Sequence, residues 1–140
     1  MREHLPSCGL LAAVLALSLA GCDGLLGGWP VRAELGEPFT LRVGQTAAVE
    51  GLRVTFLRVL QDSRCPVDVV CIWAGNARVE LELAASSHGR TTVELNSSLA
   101  PREATFGSYL VRYVDLRPYP RSTERPDPPA YRLTLVVSSP

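Results

Sequence analysis

The sequence contains no lysine: all 14 of its strongly basic side chains are arginine, and 14 Asp and Glu balance them to a formal net charge of +0. Phosphate-binding surfaces need a basic excess, so no nucleic-acid partner is expected. The arginine-only usage reads as composition bias rather than phosphate chemistry. Histidine is scarce, with 2 residues. A zinc site wants three or four ligands, so none is expected, nor any other metal or cofactor. No Cys-x-x-Cys occurs, which argues against thiol-redox work. No Gly-x-Ser-x-Gly nucleophile elbow is present either. A chain of 140 residues holds one core, not two.

The N-terminus reads as a targeting segment. Arg2 and the α-amino group give a positive start, and Gly9 to Ala20 is an uncharged apolar run. That run is short for a bilayer span and right for a signal-peptide core. Leu19-Ala20-Gly21-Cys22 follows it directly and resembles the bacterial lipobox at all four positions. The resemblance implies cleavage before Cys22 and lipid attachment to Cys22. Several acyl chains on one residue anchor stably where a single chain would be marginal. The expected organisation is therefore a lipoprotein signal peptide at 1–21, a lipidated Gly-rich tether at 22–36 and a folded domain at 37–140. The expected location is the cell envelope, lipid-anchored to a bacterial membrane on its periplasmic or surface side. Trp29, in the tether, suits either the lipid interface or core packing.

Beyond the tether, apolar and polar residues alternate with a period of two. Phe39, Leu41 and Val43 form one such run, and Leu52, Val54 and Phe56 a second. Val79, Leu81 and Leu83 are followed by Thr91, Val93 and Leu95 across a turn at Ser86 to Gly89. Tyr109, Val111 and Tyr113 form another run, and Tyr131, Leu133, Leu135 and Val137 the last. Leu57, Val59 and Leu60 change phase, which predicts a bulge. Asn96 to Gly107 reads as a loop. Arg117 to Ala130 carries several prolines and cannot be a central strand. No segment after the tether shows a sustained helical period. The fold class is all-β: an antiparallel sandwich or small barrel of roughly seven to eight short strands.

Once signal cleavage removes Cys8 and lipid occupies Cys22, Cys65 and Cys71 remain in a compartment where disulfides persist. A bond between them closes a small ring, worth roughly 2 kcal/mol by chain entropy. Asp62-Ser63-Arg64-Cys65-Pro66, with Val69, Cys71, Trp73, Gly75 and Ala77, resembles the signature of a family of small, uncharacterised bacterial secreted proteins and lipoproteins. The layout is similar from about residue 37 to 137, including Leu41, Val43-Gly44-Gln45, Phe56, Pro118, Pro120, Tyr131 and Leu133. The resemblance implies secretion, a β fold and a disulfide loop, and no reaction.

The stretch from Asp62 to Asn76 has two readings. As a structural clasp, Trp73 covers the disulfide and Arg64 pairs with Asp62 or Asp68. As a recognition loop, it presents Asp62, Arg64, Asp68 and Trp73 to a partner. Glu80 and Glu82 share a strand face and read as solvated, not as a glycosidase pair. His88 reads as a solvated turn residue. No catalytic constellation is apparent, so the expected role is non-enzymatic: binding or scaffolding an envelope protein or glycan. The competing class is an inhibitor of a secreted hydrolase, lysozyme or protease, acting through the braced loop.

Overall fold

The computed structural model describes residues 28–140. The signal segment, Cys22 and the first part of the tether lie outside the described residues. Nine strands follow in order: β1 (Val31–Ala33), β2 (Pro38–Arg42), β3 (Thr46–Val49), β4 (Leu52–Asp62), β5 (Ala77–Ala85), β6 (Gly89–Asn96), β7 (Glu103–Phe106), β8 (Tyr109–Arg117) and β9 (Arg132–Ser138). They form two sheets. One has the order β1-β3-β4-β5-β6 and the other β2-β9-β8-β7. Neighbours are antiparallel except β1 and β3, which run parallel.

The period-two pattern sets which face turns inward. Leu52, Val54 and Phe56 from β4 and Val79, Leu81 and Leu83 from β5 are fully buried. Leu41 from β2, Val111 from β8 and Leu133, Leu135 and Val137 from β9 close over them from the second sheet. The outward positions of the same strands are mostly polar or charged, with Val114 an apolar exception, so each sheet keeps one wet face.

Two expectations change. Residues 31–33, assigned to the tether, form β1 and pair with Ala47, Ala48 and Val49; the folded part therefore includes Val31–Ala33 and does not wait for residue 37. Three residues are too few to show a period, which is why the strand was not legible. The loop expected from Asn96 to Gly107 contains β7, whose Glu103–Phe106 segment pairs with Tyr109–Arg112 across a tight turn. These two additions account for nine strands instead of seven or eight. The phase change after Phe56 does mark irregular pairing: the β4–β5 register shifts between Phe56 and Arg58 and again between Val59 and Gln61.

The registers also define two ends. The lower end carries the turns at 34–37, 50–51, 86–88 and 107–108. The upper end carries the β4–β5 connection, which contains the cysteines, and the proline-rich β8–β9 connection. At the lower end Gly107 has φ +60 and His88 lies against it, where a Cβ would come within 2.6 Å of the ring.

Phe56→Ala, which empties the largest fully buried side chain, is expected to cost about 3–5 kcal/mol. Val114→Ala, on the outer face of β8, should stay within about 0.5 kcal/mol. Urea unfolding of the two variants checks the assignment of inner and outer faces.

Candidate functional site

The upper end is organised by what happens to the chain after β4 stops at Asp62. The β4–β5 ladder continues into the connection: the Ser63 amide donates to the Asn76 carbonyl at 2.8 Å and the Cys65 amide to Ala74 at 2.9 Å. The Asn76 amide in turn donates to Ser63 Oγ at 3.2 Å. Gly75 makes this possible. It has φ +69, and a Cβ there would lie 1.8 Å from the Ser63 carbonyl oxygen, so no other residue fits the approach. Beyond these rungs Cys65 and Cys71 form a disulfide with Cα atoms 5.9 Å apart. That separation is ordinary for the bond.

Arg64 turns inward and is buried. Its Nε donates to Asp62 Oδ1 at 2.7 Å and its Nη2 to Asp62 Oδ2 at 2.7 Å, a two-pronged contact that matches the planar fork to the carboxylate. Nη1 donates to the Leu116 carbonyl, and Nη2 also reaches the Pro118 carbonyl at 2.9 Å. The guanidinium carbon lies 4.4 Å from the centre of the Tyr119 ring. From β9's side, the Tyr131 hydroxyl donates to Asp62 Oδ2 at 2.9 Å. One ion pair thus ties the end of β4, in the first sheet, to β8 and the entry to β9 in the second.

Electrostatics follows from that enclosure. Burial pushes the Asp62 carboxyl up, but hydrogen bonds from Arg64 and Tyr131 and the Arg64 charge together outweigh it and hold the group below the usual carboxylate range. Burial works against the Arg64 charge, and Asp62 more than restores it, so the guanidinium is held above its ordinary value. Burial, reinforced by the hydrogen bond to Asp62, pushes Tyr131 up to about 12.

Two further contacts fix the disulfide ring on the proline-rich connection. The Val67 amide donates to the Pro120 carbonyl at 3.0 Å. Asp68 accepts from the Ser122 amide at 2.8 Å and from the Ser122 hydroxyl. These Ser122 hydrogen bonds hold the Asp68 carboxyl below its usual range. On the opposite flank Asn76 is buried, donating from Nδ2 to Asn96 Oδ1 at 2.8 Å and accepting at Oδ1 from the Ser98 amide at 3.1 Å. Asn96 donates onward to the Pro101 carbonyl at 3.2 Å.

The expected site residues therefore separate. Asp62 and Arg64 bond to each other and are enclosed, so neither is offered to a partner. Of the two possible partners of Arg64, Asp62 is the one used. Asp68 is committed to Ser122. Trp73 does not cover the disulfide: it is 82% exposed, with Ile72 at 92% and Val70 at 102% beside it. The remaining candidates lie elsewhere. His88 sits at the lower end, Glu80 pairs with Arg58 at 2.6 Å and Glu82 with Arg90 at 3.3 Å. Sequence reasoning did not place Tyr119, Tyr131, Asn96 and Ser122 at the site, where their partners Arg64, Asp62, Asn76 and Asp68 lie between 20 and 69 residues away along the chain. Nothing local marks such a polar residue as the far half of a pair.

A cleft of about 430 Å³ opens between the end of β4 and the proline-rich connection, lined by Leu60, Asp62, Pro120, Arg125, Pro126 and Tyr131. Its acidic group and its phenol are bonded to each other. Among the described residues, no buried side-chain nitrogen or oxygen lacks a partner, and no group of three or more His, Cys, Asp and Glu converges as metal ligands would. Comparisons with protein-family models, curated proteins and solved structures find no match.

Removing Arg64 while leaving Asp62 enclosed strands a charge, so Arg64→Met is expected to cost roughly 3–5 kcal/mol in urea unfolding. Stability should also fall at both extremes of pH. The lowered Asp62 stabilises the fold above the ordinary carboxylate value near ~3.9, and this is lost as pH falls through its folded value. The raised Tyr131 contributes fully below ~10 and is lost as pH rises toward about 12. Thermal melts against pH should show Asp62→Asn flattening the acid limb and Tyr131→Phe the alkaline limb.

Proposed function

We propose that the protein is a lipid-anchored component of the bacterial cell envelope with a non-enzymatic binding role, its β-sandwich holding up one preformed contact loop. The lipobox-like Leu19-Ala20-Gly21-Cys22 supports the anchor. The binding role rests on one observation: Val70, Ile72 and Trp73 are exposed on a loop whose polar groups are tied down behind them. Adjacent exposed large apolar residues mark an interaction surface. A loop held by a disulfide, by Asp68 and by the clamp at its base loses little conformational freedom when it is covered. Asp62 and Arg64 then serve as the mount, and Trp73 with its apolar neighbours as the contact.

The same protruding, braced geometry favours a second reading, inhibition of a secreted hydrolase by insertion of the loop into an active-site cleft. Lysozyme and serine and cysteine proteases assayed with micromolar protein separate the two: full activity in every case removes the inhibitor.

Anchoring has a direct check. Intact-mass measurement of the detergent-extracted protein should show an acylated chain beginning at Cys22. Cys22→Ser should abolish radiolabelled-palmitate incorporation and move the protein out of the membrane fraction. Incorporation that survives the substitution refutes the anchor.

A further inference from the structure

The parallel pairing of β1 fixes the direction from which the chain enters the fold. Val31 lies opposite Ala47, which lies opposite Val54, which lies opposite Leu83. β1 runs downward from there, so the chain before Val31 approaches from the upper end, the end that carries the disulfide loop. From the level of Leu83, β5 extends to Ala77 at the base of that loop, a climb of about 20 Å at the usual strand rise. The segment from Cys22 to Val31 spans at most roughly 30 Å. At full stretch a lipid on Cys22 therefore reaches about 10 Å above Ala77, the level of the Cys65–Ala74 rung at the base of the disulfide ring. Trp29, on this approach, is 93% exposed, which removes core packing as its role.

The two ends differ in chemistry as well as in position. The lower end presents Glu34, Glu37, Glu50, Ser86, Ser87 and His88, a surface that lipid would not cover favourably. The upper end presents Val70, Ile72 and Trp73 on the disulfide loop, beside exposed Arg121, Glu124, Arg125 and Asp127 on the proline-rich connection. No cation lies in the loop from Cys65 to Gly75, so its attraction to a surface is apolar rather than coulombic. An indole beside two bare aliphatic side chains suits the boundary between headgroups and acyl chains, where an aromatic ring keeps its apolar body in hydrocarbon and its N–H in water.

We infer that the disulfide-braced loop is a membrane-docking tip: Val70, Ile72 and Trp73 seat in the lipid interface of the bilayer to which Cys22 is anchored, holding the sandwich upright with its polar lower end away from the membrane. This rests on the anchored reading above and names the bilayer as the loop's contact. It also supplies a use for the rigid mount, since a tip that folded back would bury its apolar groups against the protein instead of lipid.

The test uses the full-length chain carrying Trp29→Phe, so that Trp73 is the remaining tryptophan. The lipidated protein is reconstituted in phosphatidylethanolamine–phosphatidylglycerol vesicles with brominated acyl chains. Docking predicts a blue-shifted Trp73 emission and at least a twofold loss of intensity relative to unbrominated vesicles. Adding Val70→Asp and Ile72→Asp should abolish both changes while the acylated protein stays bound. Unlipidated Cys22→Ser protein should partition weakly into the same vesicles, and the two Asp substitutions should weaken that by at least about tenfold. Trp73 that stays red-emitting and unquenched in vesicle-bound, acylated protein overturns the docking tip but not the anchor. Absence of acyl mass overturns the anchor, and quenching of the unlipidated chain then decides the tip by itself. A blue shift without vesicles at micromolar protein, tracking self-association or an added envelope protein, assigns the loop to a protein partner and overturns the proposal.

Discussion

The ion pair between Asp62 and Arg64 is the contact on which the upper end depends. Both side chains are almost fully enclosed, at 9% and 4% exposed. Enclosing two charges costs several kcal/mol per ion before any attraction is counted. Here most of the remaining valences are used: beyond its two bonds to Asp62, Arg64 donates to the Leu116 and Pro118 carbonyls, and Asp62 takes a further bond from Tyr131. The net gain in stability from such a pair is small, since a well-packed apolar pair of similar volume would often do as well. Its consequence is geometric. Four backbone and side-chain groups from β8 and the β8–β9 connection are held against Asp62 and Arg64 at the end of β4, in one arrangement, because a fork and a carboxylate mate in one plane.

That constraint explains the shape of the connection above it. A fourteen-residue excursion between β4 and β5, from Ser63 to Asn76, has no strand neighbour of its own beyond its first rungs. The clamp fixes its base, Gly75 lets the returning strand pass close to Ser63, and the disulfide closes the far part. The proline-rich β8–β9 connection is held in the same way, through Pro118 and Pro120 carbonyls that accept from Arg64 and Val67 and through Ser122. Prolines lack a donor but keep an acceptor, so a segment rich in them contributes carbonyls to a neighbour without asking for partners in return. The two irregular connections stabilise one another, and on the other flank Asn76 ties the first of them to Asn96 and Ser98.

The sandwich was legible because its strands alternate with a strict period of two: Leu52, Val54 and Phe56, or Leu133, Leu135 and Val137, leave no other face to bury. Where the period is too short to establish itself, as in β1 and β7, the strands exist only because a neighbouring edge is available to pair with. The loop was legible in part. Cys65 and Cys71 marked the ring, and the positions of Asp62 and Arg64 two residues apart suggested a pair. What could not be read was sidedness. Arg64 is an arginine in a polar, proline-bearing stretch, a context that ordinarily places the charge in water, and Trp73 is an aromatic beside a disulfide, a context that ordinarily buries it. The outcome is the reverse because Leu116, Pro118 and Tyr119 assemble a pocket for the guanidinium from more than fifty residues away, and no such pocket forms above Trp73.

This inversion is informative about why the loop is built as it is. Apolar side chains on a short flexible loop collapse onto the nearest hydrophobic surface, and the core lies directly beneath this one. Three things oppose collapse. The space under the loop is already filled by the charged pair and its carbonyl partners, which an aliphatic group cannot displace without stranding two charges. The disulfide shortens the loop so that Val70 lies inside the ring and Ile72 and Trp73 immediately after it, with little slack to fold inward. Asp68, bound to Ser122, pins the ring's midpoint to the adjacent connection. A buried polar layer is a poor way to gain stability, but it is an effective way to keep apolar side chains from descending onto a core. In that sense the ion pair and the exposed Trp73 are one feature seen from two sides: the first occupies the interior so that the second remains outside.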